Sequence, residues 1–138
     1  MKRQAVLAGI VLLTATGVAA TSASAQKMHA PKQIWQAMIA GLSDIQAMTG
    51  ALMVFDMTSI ESTANELAAR EDFISKIDEL PDAVKEGHAK VARAAEGVAL
   101  AAAAGEEQDV SSALAEVTAA CSSCHYDLRD KKRREKME

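Results

Sequence analysis

Aromatic side chains are nearly missing from this sequence: one Trp, one Tyr and two Phe in 138 residues. Runs of β-branched residues are missing too, outside the first 25 positions. Strands draw on both kinds of side chain, so almost nothing reads as strand, and the abundant alanine points to helix. Internal repeats and low-complexity linkers are absent, which argues against a second domain. No excess of positive charge is present: residues 26–138 carry 13 basic and 19 acidic groups, a net −6, which excludes a generally basic nucleic-acid binder. The methionines at 28, 48, 53 and 57 lack the Met-x-x-Met or His–Met clustering of a copper box and read as packing or surface residues. Cysteine is limited to two residues, Cys121 and Cys124.

What the sequence does have begins with an address. Lys2 and Arg3 precede an almost wholly apolar stretch, Ala5 to Ala20, and Ala23-Ser24-Ala25 follows as an A-x-A cleavage site. Residues 1–25 therefore read as a cleaved signal peptide, with a mature chain starting at Gln26. The apolar stretch is short for a membrane span and ends in small residues, so no span is expected after cleavage. The implied location is the periplasm of a bacterium. Residues 26–138, 113 in number, suffice for one domain with one core.

Four helices are expected. The first starts near Pro31 and carries Ile34, Met38, Gly41, Ile45, Met48, Leu52 and Phe55 at alternating spacings of four and three, a packing seam. Trp35, Ile39, Leu42 and Met53 widen that stripe. The second opens on a capping box with Thr58 as N-cap and Glu61 reaching back, then presents Ile60, Ala64, Leu67, Ile74 and Ile77. The third starts at Pro81, shows Val84, His88, Val91, Ala95, Val98 and Ala102 on one face, and stops at Gly105. Asp109 caps the fourth, whose stripe is Val110, Leu114, Val117, Cys121, Cys124 and Leu128. Short connections near 57, 78 and 106 favour antiparallel neighbours, so the expected fold is all-α, an up-down-up-down four-helix bundle.

Chemistry concentrates in the run Cys121-Ser122-Ser123-Cys124-His125. Thiols at C-x-x-C spacing can add to the two vinyl groups of one haem, and the adjacent histidine can bind its iron. The expected cofactor is one covalent haem c. Zinc would need a fourth ligand, and a histidine beside a cysteine is not a usual zinc spacing. A thioredoxin-like dithiol belongs at a helix start after a strand, not near a helix end. His88, on the apolar face of the third helix, could be a second haem ligand but reads better as a hydrogen-bonded, partly buried histidine. His29 reads as solvated. Just past the motif lies the only basic cluster: Arg129, Lys131, Lys132, Arg133, Arg134 and Lys136. It suits a helix C-terminus and could also steer an acidic redox partner.

With the late Cys121-x-x-Cys124-His125, Arg129 four residues on and the basic end, the chain resembles the cytochrome c prime family, the class II c-type cytochromes. Class I members carry the motif near their N-terminus. The resemblance implies thioethers at Cys121 and Cys124, His125 as proximal iron ligand, Arg129 shaping its electrostatics, and Gln36 near the haem propionates. Trp35 stands where the family usually has arginine. The family divides by its sixth iron position, which is either blocked by an apolar side chain or filled by a methionine of the first helix. Alignment on Gln36 puts Ile39 there, whereas the helical seam puts Met38 inward; one residue, about 100° of helix, separates the two. Met38 ligation implies a one-electron carrier and no enzyme activity. Ile39 over an open site implies binding of a diatomic gas, nitric oxide or carbon monoxide. No distal His/Arg pair can be assigned for a peroxidase. A homodimer through the first helix is also plausible by resemblance.

Overall fold

The computed structural model describes residues 30–134, 136 and 137. The expected signal peptide, its cleavage site and His29 lie outside the described residues. Four helices follow in order: α1 (Ala30–Met53), α2 (Met57–Ser75), α3 (Asp82–Ala104) and α4 (Glu107–Arg134). No strand occurs among the described residues. Each helix packs on its neighbour in sequence, and α4 closes on α1, so the four form a ring without diagonal contacts. Connections as short as 54–56 and 105–106 leave consecutive helices no choice but to reverse direction.

The ends of the helices correct two expectations. α2 begins one residue before Thr58, and its N-cap is Asp56, whose carboxylate accepts from the Ser59 backbone N–H at 3.1 Å and the Ser59 hydroxyl at 2.6 Å. Thr58 and Glu61 lie inside the helix instead of forming the capping box. The reason is how α1 stops. Phe55 sits at φ 60°, with its N–H donated to Leu52 and the Asp56 N–H to Ala51, a Schellman ending that turns the chain at Asp56. Likewise α4 starts before Asp109, because the Val110 N–H already bonds the Glu106 carbonyl; Asp109 lies in the first turn. The third helix matches its expected bounds, with Pro81 as N-cap and Gly105 at φ 75° as the same kind of left-handed stop.

The core runs along the bundle axis. Met48, Ile60, Leu67, Val98, Val110 and Val117 are fully enclosed, each contributing about 1.5–3 kcal/mol by burial. A smaller cluster of Ala37, Ile74 and Leu80 closes the end near the 76–81 connection. The expected stripes of α2, α3 and α4 point inward nearly as read, although Leu128 is exposed. α1 behaves differently. Its seam faces the bundle from Ile34 to Leu52, but Phe55 lies beyond the helix, and Trp35 (65 %), Ile39 (50 %) and Leu42 (54 %) are exposed. The residues expected to widen the core stripe instead form an outward face. An ion pair from Arg70 to Asp44 ties α1 to α2.

Candidate functional site

The last inward turns of α4 set the site. Val117 is enclosed, and the same stripe continues through Cys121 and Cys124, so both thiols point toward the bundle, one turn apart. They line a cavity of about 300 Å³ between all four helices. α1 supplies Met38, Ile39, Gly41, Leu42 and Ile45 to its wall; α2 supplies Leu67 and Glu71; α3 supplies Gly87, His88 and Val91. His125 stands at the rim with Ile39 and Leu42, all three exposed, so this is where the cavity meets solvent.

The absence of one side chain makes this arrangement possible. A Cβ built on Gly87 would sit 2.5 Å from Cys124 Sγ and 3.1 Å from Cys124 Cβ. Only glycine lets α3 approach α4 this closely beside the motif. Across the cavity, Met38 Sδ lies 3.4 Å from His125 Nε2, bringing a thioether from α1 face to face with the imidazole that follows the cysteines. Of the two rival distal residues, Met38 is the partly buried one that meets the imidazole; Ile39 lines the cavity from its exposed edge.

Burial raises both thiols above the ordinary cysteine value. For Cys121 the negative charge of Glu71 adds to burial; for Cys124 Asp127 adds and Lys90 opposes. Each therefore rests as a neutral thiol, and neither is in a disulfide.

A polar group faces the same cavity. Glu71 (5 % exposed) and His88 (3 %) are the two buried polar or charged residues among those described, and they are paired through His88 Nδ1 and Glu71 Oε2. Glu71 Oε1 also lies 3.6 Å from Arg70 Nε. His88 Nε2 is buried with no hydrogen-bond partner among the described residues. Glu71 escaped the sequence reading. Its signal was available, since it lies four residues after Leu67 and three before Ile74, on the apolar face of α2. The closeness of Gly87 to Cys124 had no local signal.

Two further candidates stay away from the cavity. Gln36 is exposed and does not line it. Arg129 is exposed, stacked over the Tyr126 ring at 4.7 Å and facing Asp130 at 3.9 Å. Arg133, Arg134 and Lys136 of the basic cluster are exposed. No helix among the described residues is long and apolar enough to cross a membrane. In comparisons with known proteins, the chain matches no family model, no curated protein and no solved structure.

Proposed function

We propose that this chain is a periplasmic c-type cytochrome of the class II kind: a one-electron carrier with one haem c on Cys121 and Cys124, His125 as proximal ligand and Met38 as the sixth. The observation that carries this reading is that Met38 and His125 face each other at a cavity both cysteines line; their Sδ and Nε2 touch at 3.4 Å and would have to part to admit an iron. The donor set fits haem c, with two neutral thiols one turn apart, an imidazole and an opposed thioether. The walls fit as well: they are mostly apolar, and the missing Cβ at Gly87 leaves Cys124 its place.

When bound, the haem supplies the Fe(III)/Fe(II) couple; the chain's own part is to hold and tune it. Cys121 and Cys124 anchor it covalently, and a His/Met pair favours the reduced form more than a vacant sixth position does. Packing of α1 through Met48 and the Arg70–Asp44 pair keeps Met38 in reach. The exposed rim at His125 and the basic residues beyond it offer an edge where an acidic redox partner can dock.

A second reading has one specific observation behind it. Ile39 also lines the cavity, so a haem left five-coordinate behind it would bind nitric oxide or carbon monoxide. Absorption and EPR spectra of the ferric protein, with Met38→Ala alongside, separate the two. Electron transfer predicts a low-spin wild type that turns high-spin in the variant. A high-spin spectrum unchanged by the mutation would replace it with gas binding. A chain whose haem dissociates on denaturation would refute both.

A further inference from the structure

Met53, Val54 and Phe55 are consecutive and all exposed, where α1 ends and its connection to α2 begins. Phe55 holds its ring there at φ 60°, in a region that suits glycine better than phenylalanine. A single exposed apolar residue needs no explanation, but three together make a patch of the kind that partners cover.

The charge around this tip has one sign. The 54–56 and 105–106 connections lie at the same end of the bundle, because consecutive helices reverse direction. Asp56, Glu106, Glu107 and Asp109 are exposed there. Residues 45–66 and 94–120, the half of the bundle around the tip, contain no Lys, Arg or His. The far end of α4 is the opposite case. From His125 to Arg134 no described side chain is buried, and Arg129, Arg133 and Arg134 are exposed beside Tyr126 and Leu128. These last turns lack the packing that supplies most helical stability, and they present basic and apolar groups together.

The two ends cannot meet within one molecule. α4 starts beside the tip and runs for 28 residues, which sets its basic end about 40 Å away. That is roughly five Debye lengths at physiological salt, so the two charges do not satisfy each other. A second copy removes the obstacle.

We propose that the Met53–Phe55 tip of one copy docks on the basic end of α4 of a second copy, so that the chain associates head to tail. The apolar tip packs against Tyr126 and Leu128, and the acids around it face Arg129, Arg133 and Arg134. The two surfaces differ, so the contact is heterologous and leaves a free tip and a free basic end for further copies. A symmetric homodimer through the first helix would use neither surface. The basic end is also the one proposed above for a redox partner, so the two docking events exclude each other. Neither surface includes the cysteines, and the inference stands apart from the haem reading.

Sedimentation equilibrium of the purified protein over a wide concentration range tests this. At low salt the average mass rises past that of a pair as concentration increases; in about 1 M sodium chloride it falls toward that of the single chain. Phe55→Lys and the double variant Arg133→Glu/Arg134→Glu each weaken association by roughly tenfold or more, with folding checked by circular dichroism. Mixed together, these two variants form one intact contact, the tip of the double variant on the basic end of Phe55→Lys, and the mass stops at a pair. A wild type that stays a single chain, or that levels off at a pair, would overturn the inference. So would association that both variants leave unchanged, or a mixture that forms no pair.

Discussion

Gly87→Ala is the sharpest probe of the geometry around the motif, because a control lies on the same helix. Replacing a glycine inside a helix by alanine gains about 1 kcal/mol of helix propensity. At Gly97, where an added Cβ meets nothing within 4 Å, that gain should appear in full. At Gly87 the same methyl group would lie 2.5 Å from Cys124 Sγ and 3.1 Å from its Cβ. Rotation of Cys124 relieves the first contact, but the second requires α3 and α4 to part. Overpacking of this kind costs about 1–3 kcal/mol, so Gly87→Ala should be no better than neutral and up to about 2 kcal/mol less stable than wild type. The two variants should thus differ by about 1–3 kcal/mol, roughly 4 °C in thermal midpoint per kcal/mol for a domain near this size. Urea and thermal unfolding of wild type, Gly87→Ala and Gly97→Ala measure the difference. A thioether would hold Sγ in place, so the penalty should be larger in the haem-loaded protein than in the haem-free chain. Equal stabilisation by both substitutions would refute the close approach of α3 to Cys124.

Three further outcomes are expected. Phe55→Gly should stabilise the fold by about 0.5–1 kcal/mol in denaturant melts, because Phe55 is exposed and occupies the left-handed region that glycine adopts without strain. Asp56→Ala should lower the melting temperature at neutral pH. The Asp56 carboxyl titrates below its ordinary value because it accepts from Ser59, so its contribution is present above that ordinary value and is lost as pH falls through the folded one; melts in strong acid should find wild type and variant alike. In the haem-free folded chain, Cys121 and Cys124 should alkylate more slowly at neutral pH than in the unfolded chain, their rate rising only above the ordinary thiol range, since burial raises both. Equal rates in the two states would place the thiols in solvent.

Much of the architecture was legible because helix formation is local. The 3.6-residue spacing of apolar positions on α2, α3 and α4, Pro81 before α3 and the left-handed stop at Gly105 all act within a turn or two of chain. The second and fourth helix starts were misread for a reason also local but finer. Asp56 and Thr58 are both competent caps, and the choice between them falls to the Schellman turn at Phe55, a residue with no intrinsic preference for that conformation. On α1 the pattern was ambiguous, since apolar residues occupy two adjoining stripes. Only one could be covered by α2 and α4, and Trp35, Ile39 and Leu42 were left outside.

The sequence by itself determined the class of fold, the pairing of two thiols with an adjacent histidine, and the inward aim of Cys121 and Cys124, because spacing along one helix settles all three. Tertiary structure alone decided what those groups face. Met38 meets His125, Gly87 admits Cys124, and Glu71 pairs with His88 across separations of 17 to 87 residues. Such contacts depend on how one helix is rotated and shifted against another, and that is set by the summed packing of whole faces, which no short stretch of sequence encodes.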